Sequence, residues 1–316
     1  MDLEQRMYYI IVNPRAGGGR GMRVWRRMQK ALQRPENRES YELFLTEKTG
    51  DARNISRQLT ERCQEERTIV VVGGDGTLNE VVDGSCLDRD RVSIIFVPSA
   101  SGNDFAKTYR KRYRPGRSLR ELALPEREMR LDYGVLDSER GNRRFVVSSG
   151  IGFDAALFQD MLEEEGRSRE RGGFHLPFRL FAYFLSFVRE LRRAKKSRGA
   201  LLLDAERRIE FNNVLFISAH VHPYEGGCLL ASGANGSDGC LDLCVVSTRS
   251  KHRLIRIMIA ALFGFHKALP GVHCYRCRRA EISMEEELPV HTDGEAWGRA
   301  RKLSICCVPG RLRIRL

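Results

Sequence analysis

The chain has no uninterrupted apolar run of transmembrane length, and its opening residues, Met-Asp-Leu-Glu-Gln-Arg, lack the layout of a signal peptide. We therefore expect a soluble, cytoplasmic protein. A disulfide framework is also unexpected, because the nine cysteines are odd in number and scattered through apolar contexts. Cys274 and Cys277 form a C-x-x-C, but no second pair follows at zinc-binding spacing. We interpret these cysteines as half-buried strand residues in a reducing compartment.

Signatures of nucleic-acid binding are missing too, since the chain has no helix-turn-helix, zinc finger or aromatic RNA-binding motif. The net charge of +13 nevertheless implies an anionic partner, for which nucleic acid, an anionic membrane surface and a polyphosphate substrate all qualify. An anionic membrane surface therefore ranks ahead of nucleic acid, although much of the basic excess can also be a solvated face. We expect peripheral membrane association and no nucleic acid, and a homodimer is compatible with the sequence.

The most informative stretch is residues 68–80, Thr-Ile-Val-Val-Val-Gly-Gly-Asp-Gly-Thr-Leu-Asn-Glu. Its β-branched run predicts a strand buried on both faces. The two adjacent glycines let the backbone turn sharply and let a ligand approach. Thr77 and Glu80 have capping-box spacing, which predicts a helix beginning near Leu78. A strand, a glycine turn and a helix N-terminus in this order bind phosphate through exposed N–H groups and the helix dipole.

A carboxylate lies inside this turn. Asp75 next to a phosphate makes sense only with a cation between them. A tight turn without a ligand is the alternative interpretation, and the number of special residues in the stretch disfavours it. A second glycine-rich loop follows the first predicted strand at residues 13–21, and it is a further candidate phosphate-binding site. Taken alone, that loop can equally be a flexible turn.

The order of predicted elements indicates two domains, for which 316 residues suffice. Residues 1–133 alternate strands and helices, which predicts an α/β domain with a Rossmann-like parallel sheet. Its βα turns then meet at the carboxyl edge of the sheet, where such folds bind ligands. Residues 134–308 carry mostly short strands, which predicts a β-rich antiparallel sandwich. The arginine-rich tail, about 309–316, is expected to return to the first domain as a last strand.

Three further segments are predicted to be helical. Residues 109–130 are basic and lead away from the first domain. Pro177–Lys196 carries a Phe-rich apolar stripe that ends in a basic cluster. Core packing is the commoner reason for such a stripe, and an interfacial role is the alternative. Leu254–Phe265 is more evenly apolar, and we interpret it as packed structure.

The stretch at 68–80 fits neither a Walker A motif nor a Rossmann fingerprint. It resembles the GGDGTxxE signature of the diacylglycerol-kinase catalytic-domain family, which includes bacterial lipid kinases and sphingosine kinases. NAD kinases share the shorter GGDGT core. Four further resemblances occur in family order, namely NPxxG at 13–17, NDFA at 103–106, DxG at 132–134 and DGE at 293–295. Where the family reads PxGT, this chain has Ala100 in place of the glycine, and Ser101 keeps a hydroxyl.

The resemblance implies a two-domain architecture of the NAD-kinase and diacylglycerol-kinase type, with an ATP site in the first domain. It places the nucleotide among the residues of the three glycine-containing turns and the segment after the second strand. The implied nucleotide-binding residues are Asn13, Gly17, Thr46, Gly73, Gly74, Asp75, Gly76, Thr77, Asn79, Glu80, Ser101 and Asn103.

The resemblance also implies the metal and catalytic residues. Mg²⁺ near Asp75, with Asp104 and Asp132 around it, would offset phosphate charge. A second, structural Mg²⁺ is implied in the loop 234–242, held by Asp238, Asn235 and Cys240. From the residues alone that loop can also be a plain Asp-Gly hairpin turn. Glu295 is the implied general base, which a carboxylate on a turn can be, whereas His291 is interpreted as a surface or packed histidine.

The sequence therefore predicts an ATP-dependent lipid kinase, with diacylglycerol as the expected acceptor and phosphatidic acid as product. Asp75 and Glu295 are the expected catalytic residues. A sphingoid-base kinase and an NAD kinase are the enzymatic alternatives, although the second nucleotide motif expected of an NAD kinase, of the TGSTAY type, is missing. A basic membrane-binding protein on a kinase scaffold is the non-enzymatic alternative, and the intact acidic motifs count against it.

Overall fold

The structure is a computed structural model that describes residues 7–33, 39–100, 102–109, 128–170 and 176–316. At residue 89 and over 165–170 and 176–184 it describes the backbone alone. The chain divides into two compact units, the first made of residues 1–133 and 308–316 and the second of residues 134–307. Most of the helix predicted at 109–130 lies outside the described residues, and its last two residues belong to a strand. None of the described helices is both long and apolar enough to cross a membrane.

The first unit is an alternating α/β structure, as predicted. Its elements are β1 (Met7–Val12), α1 (Ala16–Leu32), β2 (Ser40–Leu45), α2 (Asp51–Thr60), β3 (Arg67–Gly73), α3 (Asp75–Gly84), β4 (Val92–Pro98) and α4 (Asp104–Thr108). The strands form a parallel sheet in the order β2-β1-β3-β4. The carboxyl ends of all four strands therefore lie along one edge of this sheet.

The sheet of the first unit is buried on both faces. The central strands β1, β3 and β4 are apolar runs without polar alternation, and the side chains of Ile69–Val72 are fully buried. This is the expected sequence pattern of a parallel strand covered by helices on both sides. On one face Trp25 of α1 packs into the cluster around Ile10, Val70 and Ile95. Burial of this apolar surface is the main stabilising contribution to the unit.

The arginine-rich tail returns to the first unit, as predicted. Arg313–Arg315 pair in parallel with Ser93–Ile95 at the edge of the sheet. Arg313 donates to the carboxylate of Glu128 at 2.7 Å, and Arg315 donates to the same carboxylate at 2.5 Å. Two guanidinium groups sharing one mostly buried carboxylate explain why a strongly basic segment can pack as a strand against this sheet.

The second unit is β-rich. Its elements, with β5 beginning in the first unit, are β5 (Met129–Ser138), β6 (Gly141–Phe145), β7 (Ser148–Gly152), α5 (Phe153–Glu170), α6 (Leu176–Arg193), β8 (Ser197–Leu203), β9 (Arg207–His220), β10 (Leu241–Ser247), α7 (Lys251–Leu262), β11 (Val272–Cys277), β12 (Arg279–Thr292) and β13 (Glu295–Arg315). Every strand pair recorded within it is antiparallel, as predicted.

Two long strands organise the second unit. Both β9 and β12 pair with β8 in their N-terminal part and with β7 in their C-terminal part. Strand β9 is continuous over fourteen residues and passes through Asn213. Asn213 has a left-handed backbone (φ 58°) that lets the strand continue through an irregularity. Buried residues of these strands and their neighbours, among them Phe145, Ile217 and Ile282, form one large cluster.

Candidate active site

Three βα turns of the first unit lie against one another at the carboxyl edge of the parallel sheet. Asn13, after β1, donates from Nδ2 to the hydroxyl of Thr77 in α3 at 3.1 Å. A Cβ atom on Gly74, after β3, would lie 2.7 Å from the Cβ atom of Ala100, after β4. The alanine that departs from the family pattern therefore packs against the glycine that precedes α3. This close approach requires residue 74 to be glycine.

The glycine-rich loop after β1 has an unusual backbone. Gly17, Gly18 and Gly19 have φ values of 57°, 66° and 87°, so α1 becomes regular only after them. A Cβ atom on Gly17 would lie 2.6 Å from the carbonyl oxygen of Ser99, which places this loop in contact with the turn after β4 as well. Successive backbone N–H groups in such conformations form concave sites for anions. The three turns together can thus surround a phosphate group.

Two of the predicted carboxylates are adjacent. Asp75 accepts a hydrogen bond at Oδ2 from the backbone N–H of Asp104 at 2.5 Å. The carboxylate of Asp104 in turn lies 2.6 Å from Lys107 Nζ. Lys107 was not predicted as a site residue, although its spacing of three from Asp104 on a helix is the signal for such a pair. Carboxylates next to phosphate-binding turns are the protein ligands that Mg²⁺ uses together with nucleotide phosphates.

The capping box predicted for Thr77 and Glu80 is wrong. Helix α3 begins earlier, at Asp75, because Gly74 is extended and occupies the N-cap position. Glu80 instead caps a different helix, since its carboxylate accepts from backbone N–H groups at the N-terminus of α2, including that of Gly50 at 2.7 Å. We interpret Glu80 as a support that fixes α3 against α2. A direct contact between Glu80 and a nucleotide stays a prediction.

The other predicted nucleotide residues lie on or next to the same turns. Thr46, buried after β2, donates from its hydroxyl to the carbonyl of Val12 at 3.4 Å. Asn103 precedes α4 with a left-handed backbone, and its Nδ2 donates to the carbonyl of Ala100 at 2.6 Å. Three more predicted residues end β3 or lie in α3, namely Gly73, Gly76 and Asn79. Ser101 lies outside the described residues.

Asp132, the third carboxylate predicted around Mg²⁺, is placed in β5 and is almost fully buried. Its Oδ1 atom accepts a hydrogen bond from the backbone N–H of Gly310 at 2.8 Å. This bond attaches the returning tail to the first unit, so Asp132 has a structural role. Its predicted role in a metal–water network stays a prediction.

The turn between β12 and β13 in the second unit carries Glu295. The carboxylate of Asp293 fixes this turn by accepting three hydrogen bonds of 2.7–2.9 Å from the backbone N–H groups of Val146, Val147 and Ser148. Glu295 accepts a hydrogen bond from the guanidinium of Arg143, which also lies 5.2 Å from the ring centre of Trp297. A neighbouring cation favours the ionised carboxylate, which is the form that can take up a proton.

A buried polar cluster that sequence reasoning missed lies beside this turn. His291 Nε2 is 3.5 Å from Asp154 Oδ2 and 3.7 Å from Glu225 Oε1, and all three side chains are buried. The Nδ1 atom of His291 accepts from the backbone N–H of Gly294 at 3.2 Å. The imidazole therefore connects two carboxylates with the turn that carries Glu295. These residues come from segments far apart in the sequence, so no local pattern announces them.

Among the described residues, this cluster is the one group of three or more His, Cys, Asp or Glu side chains whose ligand atoms lie within 4.8 Å of one another. A metal on Nε2 of His291 would require the ring proton on Nδ1. The Nδ1 atom accepts the N–H of Gly294, and this hydrogen bond opposes the tautomer that such a metal would require. We therefore interpret the cluster as a hydrogen-bonded support of the turn.

Histidine pKa values in the second unit follow from burial and charge. Burial acts to lower the pKa of His291, but its bond to Asp154 and the charges of Glu225 and Asp154 outweigh burial, so the pKa is raised. Burial lowers the pKa of His220 to about 3 and that of His222 to about 4. At a pH above the pKa of His291, the ring is neutral and its Nδ1 atom accepts a hydrogen bond from the N–H of Gly294. Protonation would put an N–H donor on Nδ1, facing the N–H donor of Gly294.

The loop predicted to hold a structural Mg²⁺ is engaged in protein contacts. Asp238 Oδ2 lies 2.5 Å from Arg276 Nη2, and its Oδ1 accepts from the N–H of Cys240 at 3.0 Å. The carbonyl of Asn235 accepts from the N–H of Ser237 at 2.7 Å. These contacts are those of a hydrogen-bonded turn, and a cation would have to displace the arginine. Magnesium binding by this loop stays a prediction.

Sequence comparison identifies both halves of the chain. The sequence model of the diacylglycerol kinase catalytic domain matches residues 7–134, and that of the YegS C-terminal NAD kinase beta sandwich-like domain matches residues 168–316. Residues 7–134 belong to the diacylglycerol-kinase catalytic-domain family. Membership in this family confirms the prediction of a lipid kinase, and it leaves the acceptor lipid open.

Proteins that align with almost the whole chain are also named as kinases of lipids. A Bacillus subtilis protein, provisionally named as the lipid kinase YtlR, is 29% identical over 98% of this chain and 99% of its own length. A diacylglycerol kinase of Staphylococcus carnosus is 25% identical over 92% of this chain and 89% of its own. A Bacillus anthracis crystal structure, described provisionally as a diacylglycerol kinase, has a TM-score of 0.72 at 19% identity, covering 98% of this chain and 95% of that one. The last comparison supports the fold.

Proposed function

We propose that this family member transfers the γ-phosphate of ATP to the hydroxyl of diacylglycerol and so produces phosphatidic acid. The observation that carries the proposal is the convergence of three βα turns around Asp75 in a member of this family. Two relatives that align with 98% and 92% of this chain are named, the first provisionally, as a lipid kinase and a diacylglycerol kinase. The β-sandwich-like second unit would complete the enzyme.

The first unit supplies the groups that phosphoryl transfer requires. The N–H groups of the glycine turns and the N-terminus of α3 favour a bound phosphate. Asp75 and Asp104 are the residues that would hold Mg²⁺, because the carboxylate of Asp75 already accepts the backbone N–H of Asp104 beside these turns. The ion would supply charge stabilisation for the transferred phosphoryl group. Lys107, paired with Asp104, adds a positive charge at the same edge.

The second unit supplies the proposed base. Glu295 would take the proton from the lipid hydroxyl as that oxygen attacks phosphorus. Arg143 orients the carboxylate, and Asp293 and His291 hold the turn that presents it. The basic surface of the chain supports a further proposal, that the enzyme associates peripherally with an anionic membrane containing its acceptor.

The experiment that tests the function is phosphate transfer from ATP labelled with ³²P at the γ position, in the presence of Mg²⁺. Diacylglycerol, a sphingoid base and NAD would be compared as acceptors. Labelled phosphatidic acid that disappears in Glu295→Gln supports both the acceptor and the base. Labelled sphingoid phosphate or NADP instead would overturn the choice of diacylglycerol. No transfer to any acceptor would favour a protein that only binds membranes.

A further inference from the structure

An exposed apolar surface marks the C-terminal end of α7. Ile259, Leu262, Phe263 and Phe265 are 55%, 52%, 67% and 75% exposed, and they are the four most exposed large hydrophobic side chains recorded for the described residues. We call these four residues the apolar tip. All lie within seven consecutive positions, whereas exposed apolar residues on soluble surfaces are usually scattered singly.

Only one face of α7 is packed against the core of the second unit. The expectation that Leu254–Phe265 is packed structure is therefore wrong for the other face. Leu254, Ile257 and Ala261 are fully buried against the second unit. Their spacing of three and four residues is that of a helix face packed on a core. The tip residues lie outside this face, and the core of the unit therefore does not account for them.

The apolar tip is held firmly by hydrogen bonds. The backbone N–H groups of Phe263 and Phe265 both donate to the carbonyl of Ala260, at 3.1 and 2.9 Å, and Gly264 between them is left-handed (φ 76°). This is a regular helix C-terminus closed by glycine. The N–H of Leu229 adds a bond to the carbonyl of Ala261 at 2.9 Å. The exposed phenylalanines thus belong to an ordered turn, and helix fraying does not explain their exposure.

Basic residues precede the tip on the same helix. Lys251, His252, Arg253 and Arg256 are exposed, and α7 contains no acidic residue. We call these four residues the basic collar. At about 1.5 Å per helical residue, Arg256 lies about 10 Å and Arg253 about 15 Å behind Phe263 along the axis. Interfacial helices bury their apolar side chains roughly 5–10 Å into the boundary between headgroups and acyl chains. A tip inserted to that depth brings the collar to the lipid phosphates.

We propose that the apolar tip and the basic collar dock the second unit on an anionic bilayer. This docking site rests on the proposed function, because a lipid kinase must reach an acceptor that is embedded in a membrane. The positive charge of the basic collar indicates which partner covers this surface. A second copy docked through this face would bring two basic collars together, because a two-fold interface repeats the same patch. An anionic bilayer instead attracts each cationic side chain.

The test measures binding to phosphatidylcholine vesicles, with and without phosphatidylglycerol, by co-sedimentation of the full chain. The tip variant replaces Phe263 and Phe265 with serine, and its matched control replaces the exposed leucines of β2, Leu43 and Leu45, with serine. We expect the tip variant to bind about tenfold or more weakly, because two large apolar side chains no longer leave water. The control should bind as the wild type does. Equal binding by the tip variant would overturn the docking surface.

The collar is tested separately. Replacing Arg253 and Arg256 with glutamine should weaken binding to vesicles that contain phosphatidylglycerol and leave binding to pure phosphatidylcholine unchanged, with a smaller dependence on salt. An unchanged salt dependence would contradict the collar. If the wild type instead self-associates in sedimentation velocity, fails to bind vesicles and becomes monomeric in the tip variant, the surface is a dimer interface and the proposal is overturned.

Docking and catalysis can fail independently. Detergent-dispersed, short-chain diacylglycerol should be phosphorylated equally by the wild type and the tip variant, since neither phenylalanine belongs to the catalytic machinery. Diacylglycerol embedded in vesicles should be phosphorylated more slowly by the variant. If the tip variant loses vesicle binding but the wild type phosphorylates no lipid, the proposed acceptor is rejected and the docking surface is retained. Equal rates on both substrates, with equal binding, would reject docking alone.

Discussion

Arg143 donates a hydrogen bond to the carboxylate of Glu295, and its guanidinium also lies over the ring of Trp297. The arginine is almost completely buried, while the carboxylate is about a quarter exposed. Because the guanidinium is buried and contacts both Glu295 and Trp297, its charge is fixed in place. Arg143 therefore fixes the position of the Glu295 carboxylate. The pair can therefore hold the carboxylate in a fixed orientation before a substrate arrives.

Replacing Glu295 with glutamine should lower kcat by roughly 10²–10⁴-fold, because the amide keeps the shape and loses the proton acceptor. Arg143→Lys keeps a positive charge but not the planar contact, so we expect a smaller loss of kcat and a changed pH profile of the rate. Lipid phosphorylation over a range of pH measures both. Near-normal turnover in Glu295→Gln would reject this residue as the base.

Asp75→Asn tests the first unit. The amide oxygen can still accept the N–H of Asp104, so the turn and the melting temperature should be retained. Loss of the negative charge should lower the rate by at least roughly 10²-fold if this carboxylate serves a metal ion. The exposed Asp88 of the same unit provides the matched control, and Asp88→Asn should leave the rate unchanged. A fully active Asp75→Asn would exclude a catalytic role.

The sequence predicted the strands and turns of the first unit well because their signals are local. Buried parallel strands are continuous apolar runs, and the glycine turns follow each of them directly. The start of α3 was misplaced because the extended backbone of Gly74 competes with Thr77 for the cap position. The partner of Glu80 could not be predicted, since the N–H group of Gly50 comes from another helix thirty positions away.

The second unit was harder to predict from sequence. Helix α5 was missed because its apolar periodicity covers only its first half, and residues 163–170 are polar. The cluster of Asp154, Glu225 and His291 was missed for a different reason. Its members come from a helix start, a loop and a strand end, and only the fold brings them together. Exposure of the apolar tip also requires the structure, because an apolar residue in a sequence carries no sign of which face is covered.

Glu80→Ala should destabilise the first unit by about 2 kcal/mol, because two backbone N–H groups at the N-terminus of α2 lose their acceptor. Glu80→Gln should cost less, since one amide oxygen can still accept. Unfolding in urea measures the free energy, and the exposed Glu61 is the control, for which alanine should cost at most about 0.5 kcal/mol. If Glu80→Ala keeps full stability and loses only ATP affinity, Glu80 contacts the nucleotide directly.

Stability in acid should depend on His222. The ring is fully buried, Nδ1 donates to the carbonyl of Val146 at 2.7 Å, and burial lowers the pKa from 6.5 to about 4. Between these values the unfolded chain binds a proton that the folded chain excludes, so the stabilising contribution is complete above about pH 6.5 and is lost as pH falls towards 4.

His222→Asn should remove this dependence, because asparagine can still donate to Val146 but does not titrate. From about pH 7 to about pH 5 the wild type should lose roughly 2 kcal/mol of unfolding free energy that the variant retains. Urea unfolding at both pH values gives the difference, which is independent of any cost of the substitution itself. The exposed His252→Asn should behave as the wild type. An identical loss in His222→Asn would mean that other groups, such as His220, control stability in acid.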